Sequence, residues 1–309
     1  MSKRVLILTD GKAGHENQSK AFARALDCDF DLVEVHFKGA VCKAFSYLFD
    51  NLGLGCLGLL AAKDTTMSAL CARTGYAAVL GTGSGTFYAA KTLSRRLGVK
   101  CGVVLYPRGY RISTFDCILA PAFDRAPAAP NVIEIPANLV ANDAAFYAKG
   151  TEAFRARHPD SGRPALGVIV GGPNKCSTMT SGWMRTELTQ IFAAHPDLEK
   201  WVTTSRRTPA DVEAVVDSFP FDYKLLYSKD RFNPIPAFVS LARVLYVTAE
   251  STGMLSEACT FGTADVRVLD NLNPGPNKFR RFAEFCAALG AKKIDLSAPF
   301  AAARARLGL

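Results

Sequence analysis

The sequence predicts an α/β protein made of two domains, each an open, largely parallel sheet covered by helices. Three observations predict it: short apolar runs alternate with helix-sized segments, the alternation breaks into polar turn-formers at His158-Pro159-Asp160-Ser161-Gly162-Arg163-Pro164, and it then resumes. At 309 residues and 49% hydrophobic composition the chain can bury a large core, and it exceeds the ~100 to 200 residues of a common domain. The boundary is therefore expected in the polar stretch, with domains 1–158 and 159–309 and a last helix free to pack back on the first domain.

In the first domain Val5 to Leu8, Phe30 to Val35, Ala77 to Leu80, Cys101 to Tyr106, Cys117 to Ala120 and Val132 to Ile135 read as strands. Helices are expected between them, as at His15 to Leu26 and Thr86 to Leu97. The second domain repeats the pattern with strands at Leu166 to Val170, Lys200 to Thr204, Tyr223 to Tyr227, Arg243 to Val247 and Ala264 to Leu269. Thr208-Pro209-Ala210-Asp211 reads as a helix start, with Thr208 as cap, and Pro299 to Leu309 as a closing helix. Two such sheets facing each other would form a cleft at the carboxyl ends of their strands, where ligands of this architecture bind.

The net charge of +9 suits an anionic partner. No block of five or six basic residues appears, so a phosphate or an anionic membrane surface is expected rather than nucleic acid. Nine dispersed cysteines without a C-x-x-C pair fit a reducing compartment. Met1-Ser2-Lys3-Arg4 leads directly into a strand without a signal-peptide apolar region. A cytoplasmic location, at most peripheral on the inner membrane, is the expectation. The run from Val41 to Ala62 is apolar, but Lys43, Asp50, Asn51 and three glycines interrupt it. It reads either as two short buried helices or as a hydrophobic surface that dips into a bilayer interface.

The richest stretch is Thr248 to Ala258, which leaves a strand and opens a helix. Backbone N–H groups around Ser251, Thr252 and Gly253 suit an anion, Ser256 adds a hydroxyl, and Glu257 lies one turn inside as an acceptor for ribose hydroxyls. A Ser/Thr-capped structural helix is the alternative. Three more loops of the second domain carry donors at strand ends: Gly171-Gly172-Pro173-Asn174-Lys175, Thr203-Thr204-Ser205-Arg206-Arg207, and Asn271 to Phe279 with Asn277 and Lys278. Guanidinium groups grip phosphate in bidentate fashion, whereas each loop taken alone also fits a solvated turn. In the first domain, Asp10, Lys12, Gly14 and His15 crowd the first strand-to-helix turn. Ser19 stands where a metalloprotease motif needs its second histidine. Gly81-Thr82-Gly83-Ser84-Gly85-Thr86 lacks the third glycine and the later acid of a dinucleotide fingerprint, leaving a phosphate contact or a tight turn.

Several of these segments together resemble the mitochondrial fission elongated-mitochondria family. They are Gly14 to Gln18, Gly171 to Pro173, Val202-Thr203-Thr204-Ser205-Arg206-Arg207-Thr208-Pro209-Ala210, Asn233-Pro234, Val247 to Ser251 with Met254 to Ala258, and Asn277 to Phe279 with Arg281-Phe282. The resemblance spans nearly the whole chain. That family comprises bacterial proteins and a plant mitochondrial fission factor, and is similar in architecture to GT-B glycosyltransferases, including the one that forms lipid II. The resemblance implies two Rossmann-like domains with a nucleotide-sugar donor held mainly by the second. Gly171, Gly172 and Arg206 would lie near the diphosphate, Ser251 to Gly253 at the donor loop, Glu257 on the ribose, and Asn277 and Lys278 near the transferred sugar. Relatives often carry basic residues where this chain has Ser84-Gly85.

The resulting expectation is a metal-independent glycosyltransferase that uses a nucleotide-diphosphate sugar as substrate, needs no cofactor, and acts on an unidentified, lipid-linked or envelope acceptor. His15 is the first candidate base and Asp10 the second. Lys12, Gly14, Gly83 and Ser84 flank them on the acceptor side. Cation-free chemistry is expected, with Arg206 and Lys175 replacing a metal. The alternatives are a binding or recruitment protein without turnover, and a sugar-nucleotide epimerase.

Overall fold

The computed structural model describes residues 3–309; Met1 and Ser2, where the N-terminal reading begins, lie outside the described residues. The chain divides into two compact units, one of residues up to Ala141 together with Asp295–Leu309, the other Asn142–Ile294.

In the first unit β1 (Arg4–Thr9) leads into α1 (Ala13–Ala25), β2 (Asp29–Phe37), α2 (Ala40–Asn51), β3 (Leu60–Ala62), α3 (Met67–Cys71), β4 (Tyr76–Thr82), α4 (Phe87–Leu97), β5 (Lys100–Val104), β6 (Cys117–Pro121) and β7 (Val132–Ile135). The sheet order is β3-β2-β1-β4-β5-β6-β7, parallel throughout except for β3, which pairs antiparallel with β2. Side chains alternate across the sheet. Val5 and Ile7 pack toward Phe22 of α1, while Leu6 and Leu8 pack toward Tyr88 and Leu93 of α4. Because both faces are covered, the central strands are uninterrupted apolar runs, which is why they were legible as strands.

The second unit opens with α5 (Ala144–Arg157) and continues through β8 (Ala165–Ile169), α6 (Ser181–Ala194), β9 (Glu199–Thr203), α7 (Ala210–Ser218), β10 (Tyr223–Leu225), α8 (Ile235–Leu241), β11 (Ala242–Thr248), α9 (Thr252–Thr260), β12 (Asp265–Leu269) and α10 (Arg280–Leu289). Its sheet is fully parallel, in the order β10-β9-β8-β11-β12. The last helix, α11 (Ser297–Leu307), belongs to the first unit, where Ala303 and Leu307 are buried with Val5, Ile7 and Cys117.

Four expectations need correction. The boundary falls at Ala141/Asn142 rather than 158/159, because Phe154 of α5 is fully buried and its ring lies 5.0 Å from Trp201 and 5.8 Å from Phe238. Asp143 caps that helix by accepting from the Phe146 N–H. The Val41 to Ala62 segment is one helix, a turn and a short strand, and α2 leaves Val41, Phe45 and Leu48 exposed, so the reading as two buried helices fails. The strands foreseen to reach Tyr106 and Tyr227 stop at Val104 and Leu225. Thr208 does not cap α7; its hydroxyl donates instead to the Gly171 carbonyl at 2.6 Å. All nine cysteines are unpaired.

Candidate functional site

Each sheet reverses its winding direction once, between β1 and β4 in the first unit and between β8 and β11 in the second. At such a point two loops leave the sheet in opposite directions and open a crevice at the strands' carboxyl ends. The candidate residues gather at both.

In the first unit Asp10 follows β1, and its carboxyl oxygens lie 3.0 and 3.1 Å from His15 Nδ1. The Lys12 ammonium donates to Asp10 Oδ2 at 2.9 Å. Burial favours the neutral acid, but the Lys12 hydrogen bond and the His15 and Lys12 charges outweigh it and hold the Asp10 carboxyl below its usual range. With Nδ1 engaged, His15 Nε2 has no hydrogen-bond partner among the described residues. The glycine turn after β4 is shaped around this pair. A Cβ on Gly83, whose φ is +82°, would overlap the His15 ring, and one on Gly85 would lie 2.6 Å from Asp10 Cβ. The Ser84 hydroxyl accepts from Lys43 Nζ at 3.0 Å. Gly14, by contrast, has open space where a Cβ would project. A cavity of about 290 Å³, lined by Thr9, Glu16, Glu34, Lys63, Asp64 and Arg73 among others, adjoins the Asp10 turn. The Gly81 to Thr86 loop, first read as a phosphate contact or a tight turn, is thus a turn that packs against Asp10 and His15.

In the second unit the Gly171 N–H donates to the Thr248 hydroxyl at 2.9 Å, Thr248 donates to Glu250 Oε1 at 3.1 Å, and Glu250 Oε1 also accepts from the Gly172 N–H at 2.8 Å. This ring closes the β8/β11 crevice from within. The two N–H groups foreseen as diphosphate donors therefore already have partners. A Cβ on Gly171 would overlap Glu250 Oε1, and one on Gly172 would overlap the Arg207 backbone, so both positions are held to glycine by close approach. Ser205 N–H donates to Thr208 Oγ1, tying the loop after β9 to Gly171. Glu250 Oε2 and Asn271 Nδ2 are buried without a hydrogen-bond partner among the described residues, one acceptor and one donor left unmatched beside the ring. The Glu250 N–H joins the same group by donating to Asn271 Oδ1 at 3.3 Å.

The other candidates differ in how they are placed. Arg206 and Lys175 are exposed and make no hydrogen bond or ion pair within the described residues. The Lys278 ammonium lies 4.5 Å from the centre of the Phe279 ring. Asn174 Oδ1 accepts from Cys176 N–H, and Asn277 Nδ2 donates to the Cys176 carbonyl, so these two asparagines brace one loop. Ser251 is buried, and Gly253 at the start of α9 is exposed with open space around it. Ser256 is fully buried and its hydroxyl donates to the Thr252 carbonyl, which removes it from the presenting surface. Glu257 Oε1 accepts from the Tyr147 hydroxyl at 2.9 Å and from Asn142 Nδ2 at 3.1 Å. Burial raises the Glu257 carboxyl above its usual range, against the pull of those two bonds. One of the two oxygens foreseen for ribose is thus engaged by residues at the start of α5.

Glu250, Thr248, Thr208 and Asn271 were not singled out as site residues from sequence. The available signals were an acid two residues after an apolar strand at Glu250, and the place of Thr248, Glu250 and Thr208 within the family-like segments Val247 to Ser251 and Val202 to Ala210.

The sequence profile of the mitochondrial fission ELM1 family matches residues 13–302. Among solved structures, a protein assigned as a UDP-N-acetylglucosamine 2-epimerase from Listeria monocytogenes is 11% identical, with 97% of this chain and 94% of that one covered and a TM-score of 0.54. The Neisseria meningitidis UDP-GlcNAc 2-epimerase, solved bound to UDP-GlcNAc, is 10% identical over 96% of this chain and 89% of that one, with a TM-score of 0.53. MurG of Acinetobacter baumannii is 13% identical over 99% and 92%, with a TM-score of 0.49. The fold is GT-B-like, and at these identities the likeness is one of fold. No curated protein sequence matches the chain.

Proposed function

The chain belongs to the mitochondrial fission ELM1 family, and from that premise we propose that it transfers a sugar from a nucleotide-diphosphate donor to an acceptor hydroxyl, with cationic side chains in place of a metal. The observation that carries this reading is the oriented Asp10–His15 pair at the β1/β4 crevice, with Nε2 left open. Asp10 fixes the tautomer with the proton on Nδ1, and Nε2 then takes the acceptor's hydroxyl proton. The acceptor oxygen bonds to C1 of the donor sugar while the bond from C1 to the diphosphate oxygen breaks. The charge that collects on the leaving diphosphate falls to Arg206, Lys175 and the open start of α9. Glu250 Oε2 and Asn271 Nδ2, an unmatched acceptor and donor, fit a sugar hydroxyl and a carbonyl.

One observation favours a second reading, a binding or recruitment protein without turnover: the ring of Gly171, Thr248, Glu250 and Gly172 satisfies the loop N–H groups internally. Product analysis separates the readings. The protein is incubated with radiolabelled nucleotide sugars, UDP sugars first because the Neisseria neighbour holds one, and with a membrane lipid extract as acceptor. Transfer puts label into a new glycoside, and His15→Ala lowers that rate by ~10² to 10⁴. Label recovered as an epimerised donor would make the protein an epimerase. Donor bound and recovered unchanged would leave the binding reading.

A further inference from the structure

We infer that the outward face of α2 docks the protein on the interface of an anionic lipid bilayer. The inference is independent of the chemistry proposed above. α2 is built inside out. Val41, Phe45, Leu48 and Leu52 recur at the spacing of a single helix face, and they are 67%, 46%, 51% and 63% exposed. Leu54, just past the helix end, extends the surface at 52% exposed. The opposite face carries the polar groups and turns them inward. Lys43 donates to Ser84, Ser46 Oγ lies 2.8 Å from the Tyr110 hydroxyl, the Tyr47 ring stacks on Tyr110 at 4.5 Å, and Asp50 pairs with Lys91 at 2.6 Å.

A helix that faced water on its outer side would place these two sets the other way round. Five of the eight large hydrophobic side chains exposed among the described residues fall between Val41 and Leu54; the others, Leu32, Phe146 and Phe285, are scattered. A contiguous patch of this kind marks an interaction surface, whereas scattered ones need no partner.

Charge selects the occupant. From Lys38 to Ala62 the only acid is Asp50, which is 1% exposed and neutralised by Lys91, so this segment turns no carboxylate outward. Lys38 is exposed at the start of the segment, Arg95 donates to the Gly53 carbonyl at 3.4 Å, and Arg111 reaches the same glycine. Apolar side chains rimmed by cations fit lipid tails under anionic headgroups. A second copy of the same face would instead set these cations against one another. No helix among the described residues is long and apolar enough to cross a membrane, so the contact is one of docking at the interface. Because Lys43 of α2 holds Ser84, lipid contact would lie beside the turn that packs on Asp10 and His15.

Flotation tests this with the full chain and phosphatidylcholine vesicles, with and without phosphatidylglycerol. The protein should float with the anionic vesicles at low salt, several-fold less with phosphatidylcholine alone, and less again at high salt. Phe45→Ser with Leu48→Ser should cut the bound fraction about tenfold or more, with the variant still unfolding in one cooperative transition, since both side chains are about half exposed. Wild-type protein that stays unbound with anionic vesicles would overturn the inference, as would a double variant that floats as well as wild type. A stable dimer in sedimentation that the same double variant abolishes would also overturn it, by giving the face to a second copy.

Discussion

Gly83 and Gly171 show how closely the backbone is made to approach functional side chains. At each, a Cβ would collide with a titratable group, His15 in one unit and Glu250 in the other. Glycine there is a packing requirement imposed by the site, which is why both glycine loops resemble phosphate loops without their spacing. Glu257 makes a prediction about pH. Burial raises its folded-state pKa, so the fold favours the protonated acid; the stability this contributes is complete below the unfolded-state pKa and is lost as pH rises through the folded one. Glu257→Gln keeps an acceptor for Tyr147 and Asn142 but removes the titration. Calorimetry should find the variant gaining in melting temperature over wild type at pH 8 compared with pH 4. An unchanged or opposite difference would show that the carboxyl group is not held in an unfavourable environment.

Among the elements, α2 depends on one ion pair. Lys91 and Asp50 are each 1% exposed, and Asp50 also accepts from the Arg111 N–H at 2.7 Å, so one carboxyl group serves a helix–helix contact and a loop. Burial lowers the Lys91 pKa even with Asp50 opposing, which identifies desolvation as the larger effect. Removing one member of such a pair typically costs about 3–5 kcal/mol, because the other charge is left buried and unpaired. Asp50→Ala should lose that much in urea unfolding, and adding Lys91→Met should recover part of it. A loss below about 1 kcal/mol, the size of an ordinary point substitution, would mean that the pair does not anchor α2. This inward polar face is also what leaves the apolar side chains of α2 outward.

For the whole molecule, the two-sheet architecture was legible because central parallel strands buried on both faces must be continuous apolar runs, as Val5 to Leu8 and Leu166 to Val170 are. The loops at their carboxyl ends followed from the same alternation. Tertiary partners were not legible. α5 lies before the polar stretch chosen as the boundary, yet Phe154 joins Trp201, Tyr223 and Phe238, contacts too distant in sequence to leave a local signal. The three-residue β3 is specified by its pairing with β2. Asp10 and His15 were found together because both stand in one short turn, whereas the Glu250 ring joins loops about eighty residues apart, as its bond from Gly172 shows with a separation of 78. The inward face of Ser256 and the engagement of Glu257 by Tyr147 have the same origin.

The proposed transfer requires the second unit to hold a nucleoside diphosphate, with Arg206, Lys175 and the first N–H groups of α9 as its donors. Thermal unfolding in the presence of UDP and other nucleoside diphosphates tests it most directly. A raised melting temperature is expected with at least one of them, and Arg206→Ala should weaken that protection by ~1.5 to 3 kcal/mol, as for a charge-assisted contact. An unshifted melting temperature with every diphosphate, or full protection retained in Arg206→Ala, would contradict it.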